Sequence, residues 1–253
     1  EVHTVIVNTG GFSAEELKDI EARAYELGSS KHVTIDITEK YYNDCVRYLI
    51  YGNILKNNTY PLSVSAERMF QSIAIAQYAK DVDAEYIVHG STGAGNDQIR
   101  FDVAFAVISP SSKIITPIRD EKLSRQQEVE YLQSQGVNYS WEKAKYSINR
   151  GIWGTSVGGV ETLTSNQALP EEAYPTQLSR TESSVIEIEF EKGIPVGLDG
   201  EKLSPVALIQ KLNEIGGEYA IGRDIHVGDT ILGIKGRVGF EAPAAYILIK
   251  AHH

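Results

Sequence analysis

Tyr86-Ile87-Val88-His89-Gly90-Ser91-Thr92-Gly93-Ala94-Gly95-Asn96-Asp97-Gln98-Ile99-Arg100-Phe101 reads as a short apolar strand, a loop with three glycines and the opening turn of a helix. Glycines after a strand let the backbone approach a ligand closely, and a helix that opens near Asn96 points free N–H groups at any anion there. Arg100 lies one turn into that helix, where its guanidinium can make a forked contact with a carboxylate or phosphate. Taken alone the loop is equally readable as a plain turn, Asp97 as an ordinary helix-start carboxylate and Arg100 as one end of a surface salt bridge.

The segments on either side repeat the strand-then-helix order. Thr4-Val5-Ile6-Val7 is a strand pattern, and Ser13-Ala14-Glu15-Glu16 has the capping-box form that opens a helix with Leu17, Ile20, Ala24 and Leu27 on one face, ended by Gly28. Val33 to Ile37 is the next strand. Tyr41 to Leu55 is helical in pattern, with Val46, Leu49 and Ile50 as expected core, and Ala66 to Lys80 sets Met69, Ile73 and Ala76 on one helical face. Lys113 to Pro117 adds a strand, and Arg125 to Gln135 a helix closed by Gly136. This order predicts an α/β fold, a parallel sheet with helices on both faces and ligands beyond the carboxyl ends of its strands. Asn8-Thr9-Gly10-Gly11 is a second glycine-bearing loop at such a position.

From Asn138 the alternation stops, so we expect a domain over 1–137 and a second, α+β in character, over 138–253. In the second, Val185 to Phe190 and Ile194 to Leu198 alternate like half-exposed strands, followed by the turn pair Asp199-Gly200. Ser204-Pro205 supplies an N-cap and first-turn proline for a helix carrying Val206, Ile209, Leu212 and Ile215. The remainder, through Ile231 and Phe240, reads as strand and turn.

Composition narrows the class. The 253 residues, 42% of them hydrophobic and 23% charged, are ordinary for a globular chain and contain no run able to span a bilayer. A formal charge of −10 argues against a nucleic-acid partner, which needs an excess of Lys and Arg. Cys45 is the only cysteine, which fits a reducing, cytoplasmic setting and excludes thiolate zinc. No second ligand stands at a recognisable spacing from His89 or His226, so no protein-bound metal is expected. Glu1 is not Met and leads at once into a strand, so the natural start is expected upstream. A truncation is likewise expected after Ala251-His252-His253.

The string from His89 to Phe101 resembles, nearly residue for residue, the H-G-x-T-x-x-G-N-D-x-x-R-F pattern of argininosuccinate synthases, in the N-type ATP pyrophosphatase superfamily. Tyr60-Pro61-Leu62-Ser63-Val64-Ser65-Ala66-Glu67-Arg68 is similar to the family's Y-x-L-x-x-S-x-x-R, and Ser147 and Ser156 keep the family's nine-residue serine spacing, from Tyr146-Ser147-Ile148-Asn149 across Gly151-Ile152-Trp153-Gly154. The resemblance runs from Val5 to His253. It implies an adenine nucleotide alpha hydrolase-like nucleotide-binding domain followed by a synthetase domain. The implied reaction is ligation of citrulline to aspartate, with ATP, as its Mg2+ complex, activating the ureido oxygen as a citrullyl-adenylate, and with pyrophosphate and then AMP released. The implied assembly is a homotetramer.

The implied roles are these. Val7, by its backbone, and Gly90 would meet ATP. Tyr60, Ser65, Asn96, Arg100, Ser147, Ser156 and Phe240 would surround citrulline. Thr92, Asn96 and Asp97 would hold aspartate, with Arg68 and His89 in support. For Ser65 a helix N-cap is the compatible structural reading.

Departures are visible too. The family's S-G-G-x-D-[TS]-S pyrophosphate loop has no counterpart, because Gly10-Gly11-Phe12-Ser13 lacks its aspartate, so the chain alone is expected to be inactive. Aligning Gly233-Ile234-Lys235-Gly236-Arg237 puts Gly228 and Phe240 where many members carry a glutamate and a tyrosine, with Asp229 adjacent as a substitute carboxylate. Ala94 stands where many carry lysine, and the sequence stops at His253, where the family continues into a C-terminal arm used in oligomer contacts, so truncation is expected there. Two other readings are an amino-acid-binding module without ATP chemistry and a related ATP pyrophosphatase acting on tRNA. The acidic balance and the single cysteine argue against the second.

Overall fold

The computed structural model describes residues 1–93, 95–137, 146–230 and 233–253. The expected boundary at 138 and Ala94 therefore lie outside the described residues, as does the side chain of Asp229.

The first part contains two parallel pairs. β1 (His3–Asn8) runs beside β2 (Lys31–Asp36), and β3 (Tyr86–Val88) beside β4 (Lys113–Ile115). Parallel neighbours need a crossover, and helices supply it. α1 (Ala14–Glu26) links the first pair. It starts with the expected capping box, Ser13 and Glu16 each bonding the other's backbone, and Gly28 beyond its end has φ +93°. α4 (Ser63–Asp81) leads into β3, and α5 (Asp97–Ile108) joins β3 to β4.

Tyr41 to Leu55 is expected as one helix, and the backbone divides it into α2 (Thr38–Tyr41), a π-helical turn (Tyr42–Val46) and α3 (Arg47–Tyr51). Val46 and Ile50 are buried as the pattern predicts. The short α6 (Pro117–Asp120) follows β4, and α7 (Arg125–Ser134) follows with Gly136 at φ +78° just after it.

The second part is antiparallel. β5 (Ser147–Gly151) and β6 (Gly154–Gly158) form a hairpin, which continues into β11 (Gly233–Glu241) and β10 (Arg223–Thr230) in the order β10-β11-β6-β5. β7 (Ile188–Glu191), β8 (Ile194–Leu198) and β9 (Glu201–Lys202) make a smaller sheet, whose last turn uses Asp199 and Gly200 at φ +50° and +81°. α8 (Pro205–Glu218) begins at the expected Ser204 cap.

Residues after Phe240 form a helix not expected from the sequence, α9 (Pro243–His252). Its N-cap, Ala242, makes no side-chain cap bond; Asn213 of α8 reaches across and accepts from the Ala244 N–H at 3.0 Å. A tertiary partner thus satisfies an N–H that local sequence leaves open. The main core joins α8, α9, Trp153, Phe240 and the π turn, and a second core lies between α4, α5, β3 and β4.

Two expectations about α4 need correction. Of the expected apolar face Met69, Ile73 and Ala76, Ala76 is buried but Ile73 is exposed, and the buried residues include Ser63, Glu67 and Gln71. Ser65 is not the N-cap, because the helix starts at Ser63 after Leu62 in a left-handed conformation, φ +60°. The cap comes instead from Tyr60, whose hydroxyl accepts from the Val64 and Ser65 N–H groups at 3.0 and 3.3 Å. Ser65 Oγ, inside the first turn, donates back to the Leu62 carbonyl.

Candidate active site

The glycine loop leaves β3 after His89 N–H has donated to the Ile115 carbonyl at 3.1 Å, so its base is pinned to β4. The Gln98 amide reaches back from α5 and donates to the Gly93 and Gly95 carbonyls. Arg119 packs under Gly93, donates to Asp102 at 2.7 Å and reaches Gln98 Oε1 at 3.4 Å. His89 lies edge-on to Phe101 and Phe105, with Nε2 3.5 Å from Asp102 Oδ1. Burial holds its imidazole below the usual range despite the opposing pull of Asp102. The ring therefore supports the loop as a neutral group at pH 7.

Among the described residues, a Cβ added at Gly90, Gly93 or Gly95 would meet the protein only at 3.7, 3.7 and 4.0 Å, ordinary contact distances. Packing among the described residues therefore does not demand glycine there. What the glycines provide is a bare backbone on the open side of the loop, as close approach by a ligand requires.

α4 is the element that joins this loop to the rest, since it packs on α5, β1, β5 and β6. Arg68 is the junction. Its guanidinium donates to Gln71 Oε1 at 2.6 Å and to Asn149 Oδ1, and its Nε lies 3.5 Å from Asp97 Oδ2. Asp97 in turn accepts from Arg100 at 2.7 Å. Asn149 donates to Ser156 Oγ at 3.2 Å. One network therefore brings together Arg68, Asp97, Arg100 and Ser156, from α4, α5 and the β5–β6 hairpin.

The serine spacing has a geometric basis. Gly151 pairs with Gly154 across a two-residue turn, so Asn149 faces Ser156 and Ser147 faces Gly158. Ser147 and Ser156 are then diagonal neighbours on one face of the hairpin. Phe240 of β11 pairs with Ser156 on that face, but it is 0% exposed and its ring meets Tyr60 edge-on at 5.4 Å. Phe240 thus backs Tyr60, which also stacks on His226 at 3.9 Å.

Asn96 is the N-cap of α5, as expected. Thr92 and Gly90 are exposed on the loop, whereas Val7 is buried and touches the network only where Gln71 Nε2 reaches its carbonyl at 3.4 Å.

Sequence reasoning missed Glu67, Gln71, Asn149, Gln98, Asp102 and Arg119. Glu67 and Gln71 carried a signal in hindsight, as polar residues four apart flanking Arg68. Glu67 is 2% exposed and accepts from Thr9 Oγ1 at 2.7 Å and Gln71 Nε2 at 2.9 Å. Burial pushes its carboxyl up to about 7, against the lowering effects of Thr9 and Arg68.

Residues 1–138 match the arginosuccinate synthase N-terminal HUP domain, and residues 146–253 match the arginosuccinate synthase C-terminal domain. The argininosuccinate synthase of Methanocaldococcus jannaschii is 40% identical over 255 residues, covering all of this chain and 64% of that protein. That of Sulfurisphaera tokodaii is 38% identical over 253 residues, with the same coverage, and that of Pyrococcus furiosus 39% over 256, covering 62% of its length. The chain thus spans less than two thirds of these relatives. With both of its parts matched, the chain belongs to the argininosuccinate synthase family.

Proposed function

We propose that this chain forms most of the amino-acid side of an ATP-dependent ligase that joins citrulline to aspartate. The observation that carries the reading is the network centred on Arg68, which ties Asp97, Arg100 and Ser156 into one polar cluster beside a glycine loop whose glycines no contact among the described residues explains.

Asp97 and Arg100 pair with each other, so a ligand amine at Asp97 and a ligand carboxylate at Arg100 would exchange one internal ion pair for two external ones. The planar Arg100 fork suits the citrulline carboxylate. The Asp97 carboxylate suits the aspartate amine, with Asn96 between the two ligands and Thr92 on an aspartate carboxylate. Ser147 and Ser156 offer hydroxyls from one hairpin face to citrulline, and Tyr60 and Ser65, at the start of α4, are further contacts of the same ligand in this reading. Val7 and Gly90 would meet ATP, which enters as its Mg2+ complex and is substrate rather than a resident cofactor. In the first step the ureido oxygen attacks the α-phosphorus and pyrophosphate leaves. In the second the aspartate amine attacks the activated carbon, AMP leaves, and the amine loses a proton. The division at 137/138, a homotetramer and a cytoplasmic location belong to the same proposal.

The test uses the full-length protein. Pyrophosphate release should need ATP and citrulline together, and AMP and the ligated product should need aspartate as well. Pyrophosphate release that ignores citrulline would overturn the reading.

A further inference from the structure

Glu67 occupies a position of the Y-x-L-x-x-S-x-x-R pattern to which no role attaches, and Gln71 lies beyond the pattern, yet both are buried. Their hydrogen bonds run in one direction. Arg68 can only donate, so the Gln71 amide must turn its oxygen toward it, and it does so at 2.6 Å. The amide N–H2 then needs acceptors on the opposite side. Glu67 Oε1 supplies the shorter one at 2.9 Å, while also accepting from Thr9 Oγ1, and the Val7 carbonyl the longer one at 3.4 Å.

The same carboxyl is wedged against the β5–β6 hairpin. A Cβ built on Gly151 would lie 2.3 Å from Glu67 Oε2, so only glycine leaves room for the acid there. Thr9, which donates its hydroxyl to Glu67, accepts the Ile152 N–H of that turn through its carbonyl at 3.0 Å. The end of β1, α4 and the hairpin bearing Asn149 and Ser156 therefore meet at this one side chain.

We propose that Glu67 is a positioning residue for the amino-acid pocket: its acceptor oxygen fixes the orientation of the Gln71 amide, and that amide holds the Arg68 fork on Asn149 and Asp97. Without Glu67 only the Val7 carbonyl, at 3.4 Å, opposes a flip that would turn the Gln71 N–H2 toward a cation. Arg68 then loses its anchor, and Asp97 and Ser156 lose their common support. The inference rests on the reading of Asp97, Arg100 and Ser156 as substrate contacts.

The experiment is steady-state kinetics of the full-length protein with Glu67→Met, Gln71→Met, the double variant and Glu67→Gln, after thermal melts have shown which of them fold. Loss of one buried hydrogen-bond link should raise the citrulline and aspartate KM values about tenfold, with kcat and the ATP KM within about twofold. Because the two residues act in series, the double variant should be no worse than either single one. Glu67→Gln keeps an acceptor oxygen and should retain the wild-type KM values. If Glu67→Met does not fold, Gln71→Met and Glu67→Gln still decide between loss and retention. Unchanged KM values in the folded Met variants, multiplicative effects in the double variant, or a Glu67→Gln loss as large as that of Glu67→Met would overturn the relay and leave the ligase reading standing. A wild-type protein without citrulline-dependent pyrophosphate release would overturn both.

Discussion

Replacing Glu67 by glutamine should reverse part of the protein's pH dependence of stability. Glu67 is surrounded by Thr9, Gln71 and the Gly151 backbone, with Arg68, Asp97 and Tyr41 as the charged or titratable groups acting on or responding to it. Burial raises its carboxyl from 4.5 to about 7. Between those two values the folded protein keeps a proton that the unfolded chain has lost, so folding becomes less favourable as pH rises. The retained proton corresponds to about 3 kcal/mol of stability, fully present below pH 4.5 and lost above pH 7. Glutamine does not titrate. The stability of the variant relative to wild type should therefore climb by about 3 kcal/mol from pH 4.5 to 7 and then level off. Urea denaturation at half-unit pH intervals reads this, because other titrating groups cancel in the difference. A difference that stays flat would show that folding leaves the Glu67 carboxyl unshifted, one that falls as pH rises would show a stabilised carboxylate, and either would refute the reasoning.

Arg100→Lys should raise the citrulline KM about tenfold or more, because an ammonium cannot reproduce the guanidinium fork, and a shift confined to ATP would contradict it. Thr92→Ala should raise the aspartate KM roughly fivefold, for about 1 kcal/mol of hydrogen bond, and leave the ATP KM alone. Gly151→Ala should cost at least about 1–3 kcal/mol in denaturation, since its methyl group would overlap the Glu67 carboxyl. Arg223→Ala should cost about 3–5 kcal/mol, because Glu241, 3% exposed and held by Arg223 at 2.8 Å, would keep a buried charge without that partner. Adding Glu241→Gln to Arg223→Ala should recover much of that loss.

What the sequence revealed of the fold depended on how local the cause was. The Ser13 capping box, the glycines after α1 and α7, the Asp199-Gly200 turn and the Ser204-Pro205 start each act through a few neighbouring residues, and the structure has them all. α9 was missed because Asn213, on another helix, bonds its first turn. The glycine loop and the serine hairpin were legible as strings. The residues that join them were not, because Glu67, Gln71 and Asn149 gain their roles only from segments brought together by folding.

α4 shows this most directly. Hydrophobic periodicity turns Met69, Ile73 and Ala76 inward, whereas the fold buries Ala76 but exposes Ile73 and buries Glu67 and Gln71. Buried polar groups of this kind are unfavourable unless they find partners. Here Thr9 comes from the end of β1, while Arg68 carries the cluster on to Asn149 of the hairpin and Asp97 of α5. None of these partners is in position until all four segments have packed. The rotation of α4 about its axis is therefore set by this polar cluster together with the core that buries Ala76 and Ala79. An apolar substitution at Glu67 or Gln71 would relieve the burial cost while removing one cause of that rotation, so it can leave stability nearly intact and still misalign Arg68. Stability and substrate affinity should consequently separate at these two positions, and in core positions such as Leu212 or Leu248 they should not.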